Sequence, residues 1–278
     1  MVVPWIGTFL VSVAVALSPT APGSAAEPTA GPTPPHSLPQ VDAKADYQLG
    51  GNYRLPNGVT VVSRDRLAKP APDPAYSICY VNGYQTQPGQ LRWWRQHHPG
   101  VLLRKDGRLV RDPGWRDEVL LDTSTAGKRR VIANVIGGWI ERCHSDGFEA
   151  VEPDNLDSFS RSKHLLSRAD NLALATSFAT RAHEAGLAIA QKNMAGVSRD
   201  RRLAIGFDFA VAEECSRWRE CRSYRAAYGR HVIEIEYSDN GRRWFTRACR
   251  DHGAQWSIVY RDRNLVTPRR PAYVYAAC

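Results

Sequence analysis

Gly147-Phe148-Glu149-Ala150-Val151-Glu152-Pro153-Asp154-Asn155-Leu156-Asp157 carries an apolar strand straight into a cluster of acids and an amide. In an extended chain successive side chains alternate faces, so Ala150, Glu152 and Asp154 share one face. Two carboxylates at the mouth of a buried strand are costly unless they are paired or used. Such a pair suits acid–base or glycosyl-transfer chemistry, and it also suits a structural ion site.

Outward from this segment the same unit recurs. Short β-rich runs fall at Asp46 to Leu49, Val59 to Ser63, Tyr76 to Asn82, Phe148 to Asp154, Leu187 to Asn193, Phe207 to Glu213, His231 to Tyr237 and Trp256 to Asp262. Most are bounded by Gly, Pro or Asn. Helical periodicity separates the later runs. Ala126 to Cys143 places Val131, Val135, Ile136, Trp139 and Ile140 on one side and stops at Gly147. Ala169 to Ala185 stops at Gly186, and shorter helices are predicted at Arg201 to Ile205, Arg222 to Tyr228 and Arg242 to His252. Strands alternating with helices imply a parallel α/β sheet, and eight such units imply a single (β/α)8 TIM barrel with degenerate first units. Val101 to Thr125 breaks the rhythm. It reads as an elaborated loop after the third strand, on the active-site side, with a hairpin around Lys105-Asp106-Gly107.

The first residues suggest export. Trp5 to Leu17 is an apolar run too short to span a bilayer, followed by Ser18-Pro19 and the small residues Ser24-Ala25-Ala26. Residues 1–26 are expected to be a signal peptide, although no Lys or Arg precedes the apolar run. Residues 27–43 are rich in Pro, Thr and Gly and are expected to be a linker; 44–278 is the barrel domain. No membrane span is expected, and the protein is expected to be a secreted monomer.

An exported chain with six cysteines is expected to form disulfides, for which 15 pairings exist. Cys215 and Cys221 are close enough for a local bridge, and Cys278 can reach Cys249. That leaves Cys79 and Cys143. If Tyr80 and Asn82 face the barrel interior, Cys79 faces outward, toward the helix that carries Cys143.

The net charge of +9 is spread over Lys128-Arg129-Arg130, Arg199 to Arg202, Arg242-Arg243 and Arg269-Arg270. No nucleic-acid motif accompanies it, so it reads as a solvated basic exterior and no nucleic-acid partner is expected. No G-x-S-x-G elbow, H-E-x-x-H zinc motif, glycine-rich nucleotide loop or EF-hand occurs. His97-His98 lies in a Trp/Arg-rich helical stretch and reads as surface. No cofactor and no metal are expected.

Barrel enzymes build their sites at the C-terminal ends of the strands. Here those ends hold Asp46 and Gln48, Arg64 and Asp65, Tyr80 and Asn82, Glu152 and Asp154, Gln191, Lys192 and Asn193, Glu213 and Glu214, Glu236, and Arg261 and Asp262. Turns alone do not need so many carboxylates and amides. The set predicts a polar, acidic, sugar-sized pocket, and paired carboxylates on different strands are the usual equipment of glycosidases.

These residues carry a resemblance. Asp46-Tyr47-Gln48-Leu49-Gly50-Gly51, Cys79-Tyr80-Val81-Asn82, Gly147-Phe148 with Val151 through Asp157, Ala182-His183 with Gly186-Leu187, Gln191-Lys192-Asn193, Phe207 through Cys215, and Ile235-Glu236-Tyr237 together resemble glycoside hydrolase family 114, the endo-α-1,4-polygalactosaminidase-like barrels. The resemblance covers nearly all of the chain after the linker. It implies a secreted or surface enzyme cleaving α-1,4 links in galactosamine-containing polysaccharide. It also implies one carboxylate from the fourth strand and one from the sixth: Asp154 as nucleophile and Glu213 as general acid/base. Glu152, Asn155, Lys192 and Asn193 would shape the subsites, and Asp46, Gln48, Tyr80, Asn82, Glu214, Glu236 and Arg261 are the further substrate-binding candidates. Two choices stay open. Strict alternation puts Glu214 inward with Asp208, Ala210 and Ala212, whereas the family pattern favours Glu213; Glu152 competes with Asp154. The alternative functions are a same-fold hydrolase of another α-glycan and a carbohydrate-binding barrel without turnover.

Overall fold

The eight apolar runs form eight parallel strands: β1 (Lys44–Gln48), β2 (Val59–Asp65), β3 (Tyr76–Asn82), β4 (Ala150–Asp154), β5 (Ala188–Lys192), β6 (Phe209–Glu213), β7 (Val232–Tyr237) and β8 (Ser257–Arg261). Each pairs in parallel with the next in sequence. A ninth strand, β9 (Tyr275–Ala277), adds antiparallel to β8. The structure, a computed structural model, describes residues 1–2 and 36–278. Apart from Met1 and Val2, the expected signal peptide lies outside the described residues, as do residues 27–35 of the expected linker. Residues 36–43 lie against the N-terminal end of the barrel. There His36 is buried and stacked 4.6 Å from His183, and the Ser37 carbonyl accepts from the Tyr76 hydroxyl at 2.8 Å.

Helices α1 (Leu91–His97), α2 (Ala126–Ser145), α3 (Arg168–Glu184), α4 (Arg199–Ile205), α5 (Cys215–Trp218), α6 (Cys221–Tyr228) and α7 (Arg243–His252) follow β3 to β7, and none follows β1 or β2. The degenerate first units expected from the sequence are thus present. The two long helices begin on side-chain caps. The Thr125 hydroxyl accepts from the Lys128 amide, and Ser167 and Asp170 close a reciprocal capping box. Each gives way to a glycine with positive φ, Gly147 at 96° and Gly186 at 81°, which turns the chain into the next strand. Among the described residues, no helix is long and apolar enough to cross a membrane.

The core has two layers. Ala45, Tyr47, Ile78, Ala150, Ala190, Phe209, Val211, Ile235 and Val259 fill the barrel interior. Cys79, Val81, Val151, Ile189, Ala210 and Ala212 face outward and pack with Ile136, Phe178 and Tyr224 of the helices. Each large apolar side chain buried this way contributes about 1.5–3 kcal/mol. The layering corrects the alternation reading of β6. Phe209 and Val211 point inward with Glu213, and the small Ala210 and Ala212 point outward because helix α6 presses against them. No bulge is needed to bring Glu213 inside.

All three predicted disulfides form: Cys79–Cys143, Cys215–Cys221 and Cys249–Cys278. The first ties α2 to the outer face of β3 and closes a 64-residue separation, worth about 4 kcal/mol of unfolded-state entropy.

The ladder runs from β1 to β9, and side chains bridge the remaining seam. Arg261 on β8 donates from Nη1 to Asp46 Oδ1 at 2.8 Å and to the Tyr47 carbonyl. Its Nε donates to the Val274 carbonyl at 2.9 Å and its Nη2 to the Val266 carbonyl at 3.0 Å. The Tyr275 hydroxyl reaches the Ala45 carbonyl at 3.1 Å.

Candidate active site

A cleft of about 510 Å³ opens at the C-terminal ends of the strands. Asp154, Glu213, Tyr80, Asn82, Asn155, Lys192 and Asn193 line it, as the sequence led one to expect. Glu152 lies directly beneath, fully buried.

Lys192 is the centre of the arrangement. Its Nζ lies 3.1 Å from Glu152 Oε1, 3.1 Å from Asp154 Oδ1 and 3.4 Å from Glu213 Oε2, and it donates to the Tyr47 hydroxyl at 3.0 Å. The position a bound cation would take is thus filled by the protein's own ammonium. Each carboxylate has its own further partners. Glu152 accepts from Tyr47 at 2.5 Å and from the Ser63 hydroxyl at 3.0 Å. Asp154 accepts from the Tyr80 hydroxyl at 2.6 Å. Glu213 accepts from Asn193 Nδ2 at 2.7 Å and from the Tyr237 hydroxyl.

The electrostatics separate the two fourth-strand acids. Burial pushes the Glu152 carboxyl above its ordinary range, against the pull of Lys192 and Tyr47. Burial works the same way on Asp154, but Lys192, Tyr80 and the Asn155 backbone outweigh it and hold Asp154 below its ordinary range. Asp154 is therefore the ionised carboxylate that also reaches the cleft, while Glu152 is sealed behind it. This geometry favours Asp154 for chemistry and gives Glu152 the task of fixing Tyr47 and Lys192.

The backbone aims these groups with a repeated device. Asn155, Asn193 and Glu214, each directly after a strand-exit residue of the site, hold positive φ at 68°, 52° and 58°. Non-glycine residues in this region are strained and cluster at functional sites. The turn after Glu213 rotates Glu214 out of the strand. Gly83 is the complementary close approach: its amide donates to the Asp154 carbonyl at 3.2 Å, and a Cβ there would meet Pro153 at 3.1 Å and Phe178 at 3.2 Å.

The other candidates sit elsewhere. Asp46, Gln48 and Arg261 are buried in the β8–β1 seam, where Gln48 donates to Asp46 at 2.9 Å and accepts from Arg64 Nε at 3.0 Å. Tyr47, between Asp46 and Gln48 in sequence, faces the interior as Ala45 does. Glu236 is on the outer face of β7, where it accepts the Ser216 amide at 3.0 Å. Glu214 lies beside the cleft and anchors Arg217 at 2.9 Å and Arg263 at 2.7 Å. None of these five lines the cleft.

Asp65 and Asp157, noted in the sequence at strand exits, also line the cleft, and several lining residues escaped the choice of site candidates: Tyr47, Gln87, Asp112, Trp115, Glu118, Arg161, Tyr237 and Arg263. Three of them, Asp112, Trp115 and Glu118, come from the elaborated loop Val101 to Thr125. Asp112 holds that loop by accepting the Gly114 amide at 2.8 Å, Gln85 Nε2 at 2.9 Å and Arg161 Nε at 2.6 Å. Arg161 in turn pairs with Asp157 at 2.9 Å and donates to Asn155 at 2.9 Å. The sequence placed Val101 to Thr125 on the active-site side, but nothing in its spacing marked which of its residues line the cleft. Glu118 donates nothing as a carboxylate; it accepts from Asn82 Nδ2 at 2.8 Å, and burial pushes its carboxyl up to about 7.

Among the described residues, His36, His183 and Asp208 also come together, with Asp208 contacting His36 at 3.2 Å and His183 at 2.9 Å. The two rings are stacked at an interplanar angle of 8°, so their nitrogen lone pairs run side by side rather than converge on one ion. They sit at the N-terminal end of β6, away from the cleft.

Comparison with known proteins gives the family and agrees with the fold. The model of glycoside-hydrolase family GH114 matches residues 25–278. The fold is similar to the crystal structure of Aspergillus fumigatus Ega3 in complex with galactosamine, at a TM-score of 0.69 and 20% identity over 87% of this chain and 97% of that one. It is also similar to the glycoside hydrolase domain of PelA from Pseudomonas aeruginosa, at a TM-score of 0.55 and 13% identity over 83% of this chain and 97% of that domain. A search of curated proteins returned no match.

Proposed function

Because the chain belongs to glycoside-hydrolase family GH114 and is therefore a glycoside hydrolase, we propose that it cleaves α-1,4 links within galactosamine-containing polysaccharide, with Asp154 as nucleophile and Glu213 as general acid/base. The observation that carries the assignment is Lys192: one ammonium touches both carboxylates at 3.1 and 3.4 Å, at the floor of the cleft. Those two contacts limit how far apart the facing oxygens can be. The limit admits the about 5–5.5 Å spacing of a retaining pair, and the two-step course below takes that outcome. In the first step Asp154 attacks the anomeric carbon while Glu213 protonates the departing oxygen. In the second, Glu213 takes a proton from water as the water releases the sugar from Asp154. Lys192 and Tyr80 hold Asp154 ionised for attack.

The lining supports an amino-sugar substrate. Six carboxylates (Asp65, Asp112, Glu118, Asp154, Asp157, Glu213) face three cations (Arg161, Lys192, Arg263) in the cleft of a chain whose net charge is +9. Such local acidity concentrates a cationic, deacetylated sugar against the long-range field. The galactosamine bound in the Ega3 structure is in keeping with this. The three disulfides favour an extracellular place of action.

A reducing-end assay over partly deacetylated galactosaminogalactan and a panel of neutral α-glycans tests the reading. New ends are expected only from the amino-sugar polymer, with cleavage falling as salt is added. Cleavage of a neutral glycan alone overturns the substrate assignment, and binding with no cleavage of any glycan overturns the catalytic one.

A further inference from the structure

Beside the acid/base sits a chain of contacts that the two-step chemistry does not call on. The Tyr237 hydroxyl donates to Glu213 Oε1, and the Arg263 guanidinium lies 4.0 Å over the Tyr237 ring centroid. Arg263 cannot swing away freely. It grips Asp239 through Nε and Nη2, both at 3.0 Å, and donates from Nη2 to Glu214 Oε1 at 2.7 Å. Glu214 is held in turn by Arg217 Nη1 at 2.9 Å and by Asn240. The loops after β6, β7 and β8 therefore converge on one guanidinium, which is placed on the ring that touches Glu213. Glu214 pays for its place in this clamp with a left-handed backbone at φ 58°.

We propose that Arg263 is a positioning residue that controls how firmly Glu213 holds its proton, acting through the Tyr237 hydroxyl, with Glu214 and Asp239 fixing it over the ring. The proposal rests on Glu213 being the acid/base. The physical route is short. A cation over a phenol ring is attracted to its face and makes the hydroxyl a stronger donor. A stronger donor to a carboxylate favours the ionised form. The charged and titratable groups around this pair are Lys192 from β5, 3.4 Å from Glu213, Asp154 from β4 on the far side of that ammonium, Tyr47 from β1 near Tyr237, Tyr224 from α6, and Arg263 itself. Lys192 and Asn193 act on Glu213 from the opposite side and remain in place when Arg263 is changed.

The test is the pH profile of kcat/KM on the polymer, measured for the wild type, Arg263→Met, Tyr237→Phe and the double variant. In a retaining pair the upper limb reports the acid that must be protonated. Loss of the cation is expected to move that limb to higher pH. Tyr237→Phe moves it further, and the double variant matches Tyr237→Phe alone, because Arg263 works through the phenol. An unmoved limb with a lower kcat in Arg263→Met would make Arg263 merely structural. Additive shifts in the double variant would show that Arg263 does not act through Tyr237. Asp239 is half exposed, and Asp239→Asn, which loosens the fork, is expected to give a smaller shift in the same direction; it decides the matter if Arg263→Met does not fold. Glu213→Gln is the control for the underlying reading. If it keeps wild-type activity and the wild-type limb, Glu213 is not the acid and the assignment of Glu213 fails, whatever Arg263 does.

Discussion

Lys192 and Arg261 are both cations buried near the C-terminal end of the same barrel, three strands apart, and they are used in opposite ways. Arg261 spends its donors on Asp46 and on the carbonyls of Tyr47, Val266 and Val274. Its surroundings are saturated and closed to solvent, and it does the work of the missing ladder between β8 and β1. Lys192 instead faces Glu152, Asp154 and Glu213, more negative charge than it can neutralise, and two of those acids open on the cleft. A balanced, closed cluster stabilises the fold, whereas an unbalanced, open one supports chemistry. Both clusters look alike in sequence, as polar residues at strand ends.

The contrast can be broken by substitution. Asp154→Asn and Glu213→Gln are expected to lower kcat by about 10²–10⁴-fold while the melting temperature stays close to wild type; turnover near wild type in either variant removes that residue from the catalytic pair. Arg261→Met should do the reverse. Leaving Asp46 buried and unpaired is expected to lose about 3–5 kcal/mol in urea unfolding, with the folded fraction retaining its turnover number. If Arg261→Met were stable but inactive, the seam would belong to the site.

A smaller effect sharpens the boundary between the two regions. Glu118 lines the cleft, and burial pushes it from an ordinary 4.5 to about 7, opposed by the Asn82 hydrogen bond and aided by Asp154 and Asp112. A carboxyl raised by folding gives stability that is complete below pH 4.5 and is lost as pH rises through about 7. Between pH 5 and pH 8 the wild type is therefore expected to lose about 2 kcal/mol that Glu118→Gln does not lose. Parallel pH dependence in the two proteins would show that Glu118 is ionised at low pH in the folded cleft.

Much of this was legible because it is local. Gly147 and Gly186 mark helix ends, the apolar runs mark strands, and Cys79 on the outward side of β3 finds Cys143 on the helix that covers it. Glu152, Asp154, Lys192 and Asn193 stood out in the sequence because acids, amines and amides at strand exits are unusual. Facing was harder to read. In a closed parallel barrel both sides of a strand are buried, so apolar alternation does not say which side is inside. That is why Asp46 and Gln48 were expected in the pocket while Tyr47 occupies it, and why Ala210 and Ala212 were placed inside where Phe209 and Val211 belong. Asp112, Trp115, Glu118 and Arg263 come from aperiodic loops. Their positions follow from contacts with distant residues, such as Asp112 with Arg161, and no spacing in the chain encodes them.

The central claim is that Asp154 becomes covalently attached to sugar. A fluorinated amino-sugar substrate that slows release of the intermediate, followed by proteolysis and mass spectrometry, tests it directly. The expected result is a glycosyl mass increment on the peptide carrying Glu152 and Asp154, with fragmentation assigning it to Asp154, and its loss in Asp154→Asn. A label on Glu152 or on Glu213 would contradict the account, as would polymer cleavage with no labelled peptide.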